Sequence, residues 1–193
     1  LHGTQISGNQ VALAIAPLLK EFKGEFMKKE LLLAALVTLL PLTTARADGN
    51  RLVLSFETMY GVDGPFVNDA SIRGVLGDEL PWDIHKVKGS LSADGHLLLQ
   101  IKGLVFSNDP SVPPEKRGTN DETSFRALVS CLVENGNQIG TANIMTAGFP
   151  ATTTGDSTID TTIAMPPQCV APIIFVLSGS EAKWFAVTGA EQQ

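Results

Sequence analysis

The sequence predicts an all-β fold, an antiparallel β-sandwich of about 7–9 strands with immunoglobulin-like or Greek-key connections. Three observations predict it. After Asp48, β-branched and aromatic residues recur in short runs separated by Gly, Pro, Asn and Asp, the pattern of strands alternating with turns. No stretch there keeps apolar residues at a helical period over three turns. The runs follow one another at close to sandwich spacing, with no crossover helix of the kind parallel strands need.

The residues before Asp48 read differently. The first methionine is Met27, and it opens a cationic start (Lys28, Lys29), an apolar run from Leu31 to Leu42 and a small-residue ending Ala45-Arg46-Ala47. These are the three parts of a signal peptide, with cleavage expected before Asp48. The apolar run is too short for the ~20 residues that span a hydrocarbon core, so a retained anchor is the lesser alternative. Lys23-Gly24-Glu25 can be encoded by AAA-GGA-GAA, a purine-rich ribosome-binding sequence just ahead of the Met27 codon. Residues 1–26 are therefore expected to be leader sequence read through by an over-extended gene model, from a bacterial source. A real extension with a short helix over Val11 to Leu19 is the alternative. The expected organisation is leader 1–26, export signal 27–47 and one sandwich domain over 48–193, long enough to bury a core without a metal.

Candidate strands follow in order: Arg51–Thr58, Ser71–Leu76 (weak), Trp82–Leu91, His96–Ser107, Ser124–Glu134, Gln138–Thr146, Thr158–Met165, Val170–Leu177 and Lys183–Thr188. One hairpin can be registered. Ser92-Ala93-Asp94-Gly95-His96 suits a three-residue loop with Gly95 left-handed, which sets Ser92 against His96. Leu91 then faces Leu97, Gly89 faces Leu99 and Val87 faces Ile101 on an apolar side. Ser90 with Leu98, Lys88 with Gln100 and Lys86 with Lys102 form the polar side. A four-residue loop would mix the two sides, so the hydrophobic pattern selects the shorter one. The run from Val170 to Leu177 is apolar on both alternating sets and is expected at a sheet centre, with Pro172 marking an edge or bulge at its start. Trp184 to Val187 is expected to pair with it.

Two cysteines follow the export signal, Cys131 and Cys169. In an oxidising compartment the pair is expected as a disulfide, closing a 38-residue separation for roughly 3–4 kcal/mol in the chain-entropy model. Cys131 is in phase with Phe125, Ala127, Val129 and Val133. Two buried free thiols are the alternative. The spacing excludes a Cys-x-x-Cys redox pair.

Charge narrows the partners. The formal net charge is −6, and from Asp48 onward nine basic against 17 acidic side chains leave −8. Such a surface repels phosphate backbones and anionic lipid, so neither nucleic acid nor a membrane surface is expected. No catalytic residue and no cofactor emerge: there is no nucleophile elbow, no phosphate-cradling loop and no dinucleotide fingerprint. No metal site emerges either. His85 and His96 sit at opposite ends of the hairpin on opposite faces, with His85 expected partly covered beside Gly103.

Carboxylates offer the weaker possibility. Asp63 and Asp69, Asp78-Glu79, and Asp109, Glu115, Asp121 and Glu122 fall in loops where secreted sandwiches bind calcium, yet none has the Asp-x-Asp-x-Asp-Gly spacing. The stretch Asn108–Glu122 is the longest without a strand signal and is stiffened by three prolines. It is expected either as an ordered projection, with a binding surface sought there first and at Tyr60–Asn68 second, or as a plain crossover between sheets.

Gly77-Asp78-Glu79-Leu80-Pro81-Trp82, Gly103-Leu104-Val105-Phe106, Ser124-Phe125-Arg126-Ala127 with Val129-Ser130-Cys131, Pro172 to Val176, and Trp184 to Gly189 together resemble a group of uncharacterised secreted bacterial proteins. The resemblance covers most of residues 51–189 and implies a bacterial, exported, β-rich protein. It transfers no activity and no functional residue. The cysteine pair also resembles an immunoglobulin-type bridge, although neither tryptophan lies between the two cysteines.

The expected function is an exported, non-enzymatic module, binding or structural, for an unidentified protein or glycan. The alternative is a secreted hydrolase with a carboxylate or calcium-dependent site in its long loops. A concave pocket where acids converge with perturbed proton affinities would favour the enzyme.

Overall fold

The computed structural model describes residues 51–189; the expected leader and export signal lie outside the described residues. Within them the strands are β1 (Leu52–Phe56), β2 (Tyr60–Gly61), β3 (Ser71–Ile72), β4 (Val75–Gly77), β5 (Trp82–Ser92), β6 (His96–Phe106), β7 (Ser124–Asn135), β8 (Gln138–Met145), β9 (Phe149–Pro150), β10 (Ser157–Thr162), β11 (Val170–Ser178) and β12 (Lys183–Val187). One sheet has the order β1-β5-β6-β10. The other runs β3-β4-β12-β11-β7-β8, with β2 added to β12 and β9 to β7. Every pairing is antiparallel except β4 on β12. The two sheets enclose a shared apolar core, so the fold is the predicted sandwich.

Twelve strands exceed the expected 7–9 because four of them are only two or three residues long. The predicted strand Ser71–Leu76 is in fact two strands. Arg73 (φ 50) and Gly74 (φ 79) are both left-handed and join Ile72 to Val75 in a two-residue hairpin turn. Arg at the first position hides that turn, since Asn or Asp is its usual mark.

The hairpin β5–β6 has the predicted register at every pair, from Leu91 opposite Leu97 to Lys86 opposite Lys102. Both lysines are exposed, and Lys102 finds Asp156 at 2.9 Å. The burial pattern then changes phase. Val87, Leu91, Leu97, Leu99 and Ile101 face the core at odd positions, but beyond the His85–Gly103 level Trp82, Leu104 and Phe106 face it at even ones. Gly103 makes the switch possible, with φ of 65° and a position where a Cβ would lie 2.8 Å from that of His85. Asp156 holds it by accepting from the Gly103 N–H at 3.1 Å. His85 is exposed rather than partly covered, because the phase change turns it outward.

Past the switch, the two sheets meet through aromatic rings. Trp82 stacks on Phe185 of the opposite sheet at 3.9 Å between centroids and lies 4.2 Å from Phe106. Phe125 meets Phe185 edge-on at 5.9 Å. β11 is central as expected, flanked by β7 and β12, and its ladder shifts between Val170 and Ile173 where Pro172 removes a donor. The outer side of this sheet is apolar too. Phe66, from the turn Gly64–Phe66, packs on Trp184 at 6.0 Å, and Trp184 is fully buried. Within Tyr60–Asn68, Tyr60 and Gly61 thus extend the sheet beside β12 and Phe66 covers its outer side, while Asp63, Gly64, Pro65 and Asn68 are exposed.

Cys131 and Cys169 are placed at disulfide distance, with 4.8 Å between their Cα atoms. They link β7 to the residue preceding β11, its neighbour in the same sheet. An immunoglobulin-type bridge joins opposite sheets, so that likeness is corrected. Arg73 spans the same two strands beside the cysteines, donating to the Ser130 carbonyl at 2.7 Å and the Ala171 carbonyl at 2.8 Å.

Candidate functional site

Of the eight sequence-predicted acids, Asp63, Asp69, Asp109 and Glu115 stay apart from the others. Asp63 accepts from the Gly64 N–H, and Asp109 accepts from the Ser111 N–H and hydroxyl, so each closes its own loop turn. The Ser111 bonds hold the Asp109 carboxyl below the usual carboxylate range. Asp69 and Glu115 are exposed. Among the described residues, no group of three or more His, Cys, Asp or Glu side chains could hold a metal ion. His96 is an exposed hairpin residue, as expected, and contacts Asp160 at 2.8 Å.

The loop Asn108–Glu122 is ordered, but it folds back rather than projecting. Val112 is fully buried beneath it, and the Asn120 side chain donates to the carbonyls of Glu122 and Thr152. It joins β6 in one sheet to β7 in the other and is the crossover anticipated as the plainer alternative. Folding back brings its acids to the end of the sandwich. There Asp78, Glu79, Asp121, Glu122 and Glu181 surround a pocket of about 270 Å³ with Trp82, Phe106 and Phe185 at its base. The volume is just under the roughly 300–1,000 Å³ of drug-sized ligand sites.

Each of these five carboxylates has a partner inside the protein. Asp78 accepts from the Trp82 indole N–H at 2.8 Å. Glu79 and Glu181 both pair with Lys183, Asp121 pairs with Lys116 at 2.9 Å, and Glu122 accepts from the Ser178 and Ser180 hydroxyls. Lys116 also stands 5.0 Å from the Phe106 ring centroid, and its Asp121 partner raises its proton affinity. The pocket thus ties the loop 108–122, the β11–β12 turn and the approach to β5 together. Glu181 lies in that turn and Lys183 opens β12, and neither stood out in the sequence. Only the opposite charges of Glu181 and Lys183, two residues apart, could have marked them.

Asp78 differs from its neighbours. Burial pushes its carboxyl above the usual range, outweighing the lowering by the Trp82 N–H, the Leu80 backbone N–H and Lys183. A raised folded value means that the fold binds this proton more tightly than the unfolded chain does. Its stabilising effect is complete below the ordinary carboxylate value and is lost as pH rises through the raised one. Asp78→Asn keeps an oxygen for Trp82 and removes the buried charge. Its melting temperature is expected to exceed that of the parent at neutral pH, with the gap closing in acid. A variant melting lower at neutral pH would show instead that the fold relies on the anion.

Comparison with family models, with curated proteins and with solved structures finds no significant match to this chain. Function therefore rests on the site alone. Among the described residues, no helix is long and apolar enough to cross a membrane.

Proposed function

We propose that the chain is an exported bacterial module, secreted or periplasmic, that binds or supports a protein or glycan partner and catalyses no reaction itself. The observation that supports this most is the internal partnering of every carboxylate around the pocket. Each of these acids commits an oxygen to fastening a loop, which gives the carboxylates a structural task at this end of the sandwich. Export is supported by the signal pattern starting at Met27 and by a cysteine pair at disulfide distance, a linkage that persists in oxidising compartments. The loops around the pocket form the surface offered to the partner.

One observation favours the second reading, a secreted hydrolase with a carboxylate or calcium-dependent site. Asp78 lies in a concave pocket with its proton affinity raised, as a catalytic acid would. Two measurements separate the readings. Melting with added calcium and then with chelator is expected to give one temperature, because a cation bound only by the native state must raise it. Purified protein is expected to leave glycoside, ester and peptide substrates intact. Hydrolysis that disappears in Asp78→Asn would replace the module with the enzyme.

A further inference from the structure

Sheet edges are where extended chains add, and natural proteins protect them with short strands, bulges, prolines or charges. Besides β8, the edge strands among the described residues carry such a device, and the two added strands β2 and β9 have only two residues each. β3 has two residues, β1 is bulged between Leu52 and Leu54, and β10 carries Asp160. β8 carries none. It runs eight residues, Gln138-Ile139-Gly140-Thr141-Ala142-Asn143-Ile144-Met145, with no proline, no charge and an unbroken register against β7 on one side only. Ile139 is 72% exposed and Met145 43%, both large apolar side chains in water. A depression of about 400 Å³ adjoins Ile139, lined by Leu132, Gln168 and the exposed Val170.

We infer that β8 is a self-association edge, and that its occupant is β8 of a second copy. The sequence of the strand selects this occupant. A two-fold axis normal to the sheet must set residues of one face opposite each other. Pairing centred on Ala142 does so: Ile139 meets Met145 of the second copy, Thr141 meets Asn143, and Gly140 meets Ile144. Both exposed apolar residues are covered by each other, and Asn143, whose side-chain amide already donates to the Arg73 carbonyl at 3.2 Å, keeps its Oδ1 to accept from Thr141 of the second copy. Charge points the same way. A chain of formal net charge −6 repels its own copies over most of its surface, and β8 itself carries no carboxylate, the nearest being Glu134 opposite Ile139 on β7. The pairing is isologous and closes at two copies, because it uses up the one edge strand left unprotected among the described residues of each.

Sedimentation velocity of the purified chain, from micromolar to near-millimolar concentration, tests the inference. A concentration-dependent dimer that goes no further is expected. Ile139→Lys with Met145→Lys in one chain sets lysine against lysine twice across the ladder, and Ile139→Glu with Met145→Glu does the same with glutamate. Each variant is expected to weaken the dimer by about tenfold or more, since like charges replace two apolar cross-strand pairs. Equimolar mixing is expected to restore dimers by setting lysine against glutamate. All four changes are at exposed positions, and unchanged far-ultraviolet circular dichroism checks that each variant is folded. A parent that stays monomeric, a parent that grows past the dimer, or a mixture that stays monomeric would each overturn self-pairing through β8.

Discussion

Phe185→Ala is expected to cost about 3–5 kcal/mol, the range for deleting a fully buried aromatic ring. The ring is 1% exposed and touches both sheets, stacked on Trp82 from one and edge-on to Phe125 in its own. Removing it opens a void where neither sheet can close in. Trp82 is held by its indole bond to Asp78, and Phe125 is anchored in the long strand β7. Against the ~5–15 kcal/mol that holds a typical domain together, such a loss takes the protein close to unfolding. Urea titration followed by tryptophan fluorescence would register it as a lower midpoint at unchanged slope. Phe185→Leu keeps most of the volume and provides the folded comparison, with a smaller loss. A loss below about 1 kcal/mol for the alanine variant would show that the rings are not what joins the sheets.

The second large effect concerns the cysteine pair. Replacing Cys131 and Cys169 together by alanine is expected to cost roughly 3–4 kcal/mol, because the unfolded chain regains the freedom of a 38-residue loop. The protein is nevertheless expected to fold. Arg73 links the same strands through the carbonyls of Ser130 and Ala171, each within two residues of a cysteine, and survives reduction. The two links thus hold one place by different means. Arg73→Ala is therefore expected to cost more in the alanine background than in the parent. A double-mutant cycle measures that excess, and additivity within about 0.5 kcal/mol would show that the two act independently.

These expectations draw on different levels of organisation. The hairpin register could be read from Ser92 to His96 because a strand alternates at every second residue, and one glycine in a short loop sets the offset. The central place of β11 was legible for the same reason, since apolar residues on both sets leave it no solvent face. Cys131 and Cys169 were paired by being the only two after the export signal, but their linking neighbours in one sheet was not foreseeable. That depends on β11 returning beside β7, and no local pattern records which strand returns where. The cover that Phe66 forms was missed because its partner Trp184 lies far along the chain.

The pocket shows the same division. Asp78-Glu79 and Asp121-Glu122 stood out as loop acids, and a loop acid is equally at home in water. Only the folded chain brings them beside Glu181 and gives Lys183 and Lys116 to them as partners. Burial, with a smaller contribution from the charge of Asp121, makes Asp78 unlike the rest, and both are properties of what surrounds a residue.

By itself, then, the sequence determined the all-β class, the placement of the longer strands, the β5–β6 register and the identity of the cysteine pair. Each depends on residues a few positions apart, where backbone geometry ties side chains to one face or the other. The tertiary structure alone decided the phase change at Gly103, the aromatic contact between sheets, the gathering of five acids at one end and the bare edge at β8. In each of these the interacting groups come from separate strands and turns. Chain connectivity places them near one another only after both sheets have formed.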